Sequence, residues 1–100
     1  MKLKEIAHSR TGDKGNISTI SVIAYDISNY ELIKEKVSVE KVREQFKNIV
    51  YGVISRYEIE SIGALNFVLE DALGGGVTRS LSLDMHGKAL CSLMLELEVD

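Results

Sequence analysis

The chain of 100 residues has no proline and a single cysteine, Cys91. One cysteine cannot close an internal disulfide, and with only two histidines it falls short of the ligand spacings of structural zinc sites. A metal-free intracellular protein is expected. No run of about 18 apolar residues occurs, and the opening Met1-Lys2-Leu3-Lys4-Glu5-Ile6-Ala7-His8 lacks the apolar stretch of a secretory signal. Neither a membrane span nor export by a visible signal is expected, and cytoplasmic residence follows. Basic residues are outnumbered, 12 against 15 acidic ones, for a net charge of −3. That balance opposes the basic footprint of a nucleic-acid binder. The four tyrosines, Tyr25, Tyr30, Tyr51 and Tyr57, are dispersed rather than laddered along one strand, which weakens a single-stranded RNA reading further.

What is present suits one folded unit. A hydrophobic fraction of 45% excludes disorder, and no repeat, low-complexity stretch or charge block marks a linker, so residues 1–100 are expected to form a single domain with one modest core. Leu3 to His8 reads as a peripheral strand, and Ser9 to Asn16, dense in Gly, Asp, Asn and Ser, as a first glycine-rich loop. Ile17 to Tyr25 is rich in β-branched residues on both faces, as in a central strand. Ser28 with Glu31 forms a capping-box pattern ahead of a helix from Asn29 to Lys36. Ser38 restarts the pattern, with Val39, Val42, Phe46, Ile49 and Val50 on one stripe. Val50 to Ile59 reads as a strand. Ala64 to Leu73 fits either a strand or a helix, and Gly74 as a left-handed stop favours the helix. Ser80 to Asp84 and Ala89 to Val99 alternate strictly around Asp84-Met85-His86-Gly87, a pattern for a hairpin with Cys91 facing the core. About five strands with two or three helices predict an α+β fold: a two-layer ferredoxin-like sandwich with a mainly antiparallel sheet, helices on one face and a C-terminal β-hairpin.

Few residues carry chemistry. Gly12-Asp13-Lys14-Gly15 has a lysine beside glycines but not the Walker spacing, because Lys14 precedes Gly15-Asn16 and a strand. Gly74-Gly75-Gly76 exceeds what a helix stop needs. Its amides with Arg79 could cradle an anion, or the glycines could allow a partner chain to pack closely. His8, where a strand meets the first glycine-rich loop, is a better candidate than His86 at a turn tip. Cys91 between leucines reads as an inert core thiol. Glu5, Glu58, Glu60, Glu70 and Asp71 read as solvated acids. The candidate anion- or substrate-binding set is therefore His8, Arg10, Lys14, Gly74, Gly75, Gly76 and Arg79. The two glycine-rich loops are expected to lie together, and no residue is assigned a catalytic role.

Three blocks in order carry a resemblance: Ile6-Ala7-His8-Ser9-Arg10-Thr11-Gly12-Asp13-Lys14-Gly15-Asn16, then Ala64-Leu65-Asn66-Phe67-Val68-Leu69, then Ala72-Leu73-Gly74-Gly75-Gly76-Val77-Thr78-Arg79-Ser80-Leu81. With the closing Leu83 to Leu90 stretch, the chain resembles the AtuA-like ferredoxin-fold domain. That domain is found at the C-terminus of acyclic terpene utilisation AtuA-family proteins or as a small separate chain beside the larger one. The resemblance implies a ferredoxin-like fold and a link to catabolism of branched acyl compounds, as CoA thioesters, but no reaction. No cofactor is expected. Two functions follow: an accessory subunit docking on a larger AtuA-like chain, or a self-contained enzyme or binding protein for an anionic acyl substrate such as an acyl-CoA or a carboxylate. A chain this short has little room for both a core and a CoA-sized pocket, which favours the first. Open sheet edges also predict a homo-oligomer.

Overall fold

Residues 1–14, 17–47, 50, 52–70 and 90–99 are described in the computed structural model, Asp13 and Lys14 by backbone only. Ile17–Ala24 forms β2, and its alternation sorts the side chains: Ser18, Ile20 and Val22 are buried while Thr19, Ser21 and Ile23 point the other way. It pairs antiparallel with β1, Ala7–Lys14, from Ala7 opposite Ala24 to Lys14 opposite Ile17. On its other side β2 pairs antiparallel with β4, Ala64–Glu70, which pairs in turn with β3, Ile54–Ile59. The order is β1-β2-β4-β3, so β2 and β3 run parallel with β4 between them. The connection from β2 to β3 carries two helices, α1 (Tyr30–Lys36) and α2 (Val39–Gln45), which makes a split β-α-β unit.

A third helical segment, α3, occupies residues 90–95. Leu90, Met94 and Leu97 bury together with Ile33, Val42 and Phe46 from the α1–α2 region and with Ile20, Leu65, Phe67 and Leu69 from the sheet. The three helices of the described residues therefore cover one face of the sheet. Each fully buried aliphatic or aromatic side chain of this core contributes about 1.5–3 kcal/mol. The chain past α3 returns along residues 1–3: Leu3 N–H donates to Leu97 O at 2.8 Å, and Val99 N–H donates to Met1 O at 3.0 Å. A four-stranded antiparallel sheet backed by helices on one face is a ferredoxin-like α+β sandwich, as expected.

Several local expectations are corrected. Leu3–Glu5 is a 3-10 turn, and the first strand starts at Ala7. The glycine-rich stretch from Ser9 to Lys14 is strand rather than loop, while Gly15 and Asn16 lie outside the described residues. Gly12 serves close approach there: a Cβ on it would sit 3.0 Å from Thr19 Oγ1 across the ladder. The Ser28–Glu31 capping box does not form. Asp26 instead accepts the Ser28 N–H at 2.9 Å, starting a 3-10 turn at Ile27–Asn29 that leads into α1. The Ser38 cap is present, its hydroxyl accepting the Lys41 N–H at 3.1 Å.

Ala64 to Glu70 is strand, not helix, because Leu65, Phe67 and Leu69 all reach the core when the segment lies between two partner strands. Positions 71–73 of the proposed helix lie outside the described residues. Residues 90–95 are helical, not the second arm of a hairpin. Apolar residues stand at both parities there, so the strand alternation competes with the Leu90, Met94, Leu97 helical stripe, and the stripe faces the core. The first arm and the turn at Asp84 to Gly87 lie outside the described residues. Cys91 is accordingly only partly buried, its thiol against the Thr11 hydroxyl rather than among leucines.

Candidate functional site

With the described helices on one side, the opposite face of the sheet carries no described helix. Register sets its rows: His8, Ile23, Ala64 and Ile59 lie side by side, then Arg10, Ser21, Asn66 and Tyr57, then Gly12, Thr19, Val68 and Ser55. Ser21 Oγ lies 3.3 Å from Asn66 Oδ1, a hydrogen bond that ties the middle row together with the hydroxyl as donor. Tyr57 at the end of that row is 55% exposed. His8 stacks on Tyr25, ring centroids 5.2 Å apart and planes at 29°.

Arg10 is the unusual member. Every other described Lys or Arg side chain reaches a carboxylate or a backbone carbonyl. Arg10, exposed on the open face, has neither a hydrogen bond nor an ion pair. A planar guanidinium with its five donors unused suits a carboxylate or phosphate presented from outside. Ser21, Asn66 and Tyr57 share its row and can add neutral hydrogen bonds. Among the described residues of this face no hydroxyl or thiol is hydrogen-bonded to a histidine or carboxylate, and what the face offers is hydrogen-bond donors to an anion.

The electrostatics elsewhere are self-contained. Glu96 accepts from Lys2 at 2.8 Å and from Lys4 at 3.1 Å, and the Lys2 bond above all holds its carboxyl below the ordinary range while raising the Lys2 ammonium. Hydrogen bonding to Glu60 raises Lys34 in the same way. The Tyr30 hydroxyl is buried without a partner, and burial pushes its ionisation up. On the helix-covered side of β1, the Ser9 hydroxyl is also buried and unpartnered, near the Thr11 and Cys91 pair. Among the described residues no three His, Cys, Asp or Glu side chains converge as a metal site, and no helix is long and apolar enough to cross a membrane.

Of the residues proposed from sequence, the structure places His8 and Arg10 on the same face of β1, two positions apart. Lys14 ends that strand opposite Ile17. Gly74, Gly75, Gly76 and Arg79 lie outside the described residues, as does the expected meeting of the two glycine-rich loops. Sequence reasoning missed Ser21, Asn66, Tyr57 and Tyr25. The outward parity of Ser21 within β2 was a readable signal, but its alignment with Arg10 needs the strand register.

The fold and this site define a ferredoxin-like domain whose sheet face opposite the described helices carries Arg10, unpaired among the described residues. The family model for the AtuA ferredoxin-like domain matches residues 1–100, and the chain belongs to that family. No curated protein and no solved structure matches it.

Proposed function

We propose that this domain is a cytoplasmic accessory subunit that docks through its open sheet face on a larger AtuA-like chain, in the catabolism of branched acyl compounds. The observation that carries the reading is Arg10: in an acidic protein whose other described cations are satisfied, an unpaired guanidinium sits midway along the edge strand β1, on the face that the described helices leave open. A carboxylate on the partner is the group it fits, and family membership supplies the kind of partner. The contribution expected of the Lys14 side chain and of Gly74 to Arg79 to an anion- or partner-binding surface falls outside the described residues. Self-association through the sheet edges is compatible with it, since the open face is separate from the edges.

The same arginine also favours a second reading, a binding protein whose Arg10 holds the carboxylate or phosphate of an acyl ligand. Calorimetry separates the two. The larger AtuA-family chain, expressed without a ferredoxin-like domain of its own, should bind the wild-type domain. Arg10→Glu should weaken that binding by roughly tenfold or more, as expected for losing a charge-assisted hydrogen bond. Absence of binding to that chain overturns the docking reading, and full affinity in Arg10→Glu overturns the part assigned to Arg10 in it. Arg10-dependent binding of acyl-CoA without the larger chain selects the second one.

A further inference from the structure

Tyr25, Ile27, Ile59 and Ile62 are half of the eight large hydrophobic side chains found exposed among the described residues, and they gather at one end of the sheet. There Ala24 N–H donates to Gly63 O at 3.0 Å, and Ile27 Cγ1 lies 3.3 Å from where a Gly63 Cβ would be. Ile59 shares a cross-strand row with His8, on which Tyr25 stacks. Exposures are 68% for Tyr25, 61% for Ile27, 57% for Ile62 and 41% for Ile59, too high for side chains that serve this chain's own core. His8 and Ile59 end that row on opposite edge strands with Ile23 and Ala64 between them, and exposed apolar side chains gathered at one end of a sheet mark an interaction surface.

Its surroundings are acidic. Lys34 is held by Glu60 at 2.7 Å and Arg56 by Glu58 at 2.8 Å, so those charges are spent locally. Asp26 accepts from Ser28 and has no cationic partner, and Glu31 meets only Lys34, without a hydrogen bond to it, a cation that Glu60 already holds.

We propose that this patch receives a protein surface with an apolar centre ringed by basic side chains. The proposal rests on the docking reading above and assigns that surface to the larger AtuA-like chain. Charge decides among the occupants. A second copy seated on the same patch brings Asp26 and Glu31 against their own counterparts, and an anionic lipid surface meets the same acidic rim. A basic-rimmed protein meets opposite charge. Arg10 stands farther along the same sheet face, so the partner presents a carboxylate there and cations at the sheet's end. That change of sign fixes the orientation of docking.

The test uses the larger AtuA-family chain as the probe in calorimetry. Ile27→Ser with Ile62→Ser should lower affinity at least tenfold while circular dichroism and the melting temperature stay near wild type, and Ile62→Ser alone should show part of the loss. Asp26→Asn with Glu31→Lys, which keeps an acceptor for the Ser28 amide, should weaken binding at low salt. The deficit should shrink toward zero as salt rises to about 0.5 M. Wild-type affinity in the serine variant overturns the proposal, as does tighter binding by the charge variant. So does a homodimer mass lost on Ile27→Ser, which gives the patch to a second copy, or Ile27-dependent binding to phosphatidylserine vesicles. If wild type fails to bind the larger chain, the docking reading and this proposal fall together. If Arg10→Glu weakens binding and the serine variant does not, this proposal alone falls. The reverse pattern removes the role of Arg10 and leaves the patch.

Discussion

Arg56 ties the edge strand β3 to the helical layer. Its Nη1 donates to the carbonyls of Lys34 at 2.7 Å and Val37 at 2.9 Å, the unsatisfied end of α1, and its Nη2 donates to Glu58 at 2.8 Å. The side chain is only 20% exposed, so Arg56→Met keeps most of the stem packing while leaving two carbonyls with no replacement donor. Charge-assisted hydrogen bonds contribute about 1.5–3 kcal/mol each, but the two carbonyls share one guanidinium nitrogen and lie at a helix end that water can reach, so we expect a total loss of about 2–3 kcal/mol. The Glu58 contact is partly exposed and adds only about 0.2–1 kcal/mol, which Glu58→Gln measures separately. With a urea slope of roughly 1.5 kcal/mol per M for a domain of this size, the midpoint should fall by about 1.3–2 M. Equilibrium urea unfolding followed by circular dichroism reads it. A fall of less than about 0.3 M in Arg56→Met, or an equal fall in Glu58→Gln, would refute the assignment of the stabilisation to the helix-end carbonyls.

Phe67 is fully buried at the centre of β4, so Phe67→Ala should cost about 3–5 kcal/mol in the same assay, far more than Val68→Ala on the open face. Gly63 has φ of 64° and Ile27 beside its missing Cβ, so Gly63→Val should destabilise by at least about 1–2 kcal/mol, whereas Gly63→Asn, which tolerates the left-handed region, should cost less. Glu96 is held below its ordinary value of 4.5, so its contribution is full above that value and disappears as pH falls through the lower folded value. Lys2 is raised above 10.5, so its share is full below 10.5 and is lost as pH climbs through the higher folded value. Urea midpoints followed across pH in Glu96→Gln should lack both slopes, and unchanged slopes would show that this pair does not couple to folding.

Much of the architecture was legible because local and global signals agree. Ser38 as a cap, the Val42 and Phe46 stripe and the alternation of Ile20 and Val22 each admit one structure, and that structure also serves the core. The misreadings fall where two periods fit one segment. Leu65, Val68 and Leu69 keep helical spacing, but Leu65, Phe67 and Leu69 keep strand spacing, and only the presence of β2 and β3 on either side decides. At 90–95 the choice went the other way: Leu90, Met94 and Leu97 join the core, and the helix meets α2 through Gln45 and Leu93 and β1 through Thr11 and Cys91. Gly12 and Asp13 carry turn chemistry yet lie in a strand, since Thr19 opposite needs the space that Gly12 leaves. The candidate site was half legible for the same reason. His8 and Arg10 stand out as residue types, but what makes Arg10 distinctive is that every other described cation found a partner, and that emerges only after folding.

Hydroxyl-radical footprinting of the domain with and without the larger AtuA-family chain tests the central claim most directly, because tyrosines report both layers. Tyr57 and Tyr25 mark the open face and its apolar end, while Tyr30 is 4% exposed beneath the helices and serves as the internal control. Docking through the open face predicts strong protection of Tyr57 and Tyr25 on complex formation, with Tyr30 and the solvent side of α2 around Glu44 and Lys47 unchanged. Protection confined to α2, with Tyr57 as reactive in the complex as in the free domain, would contradict it.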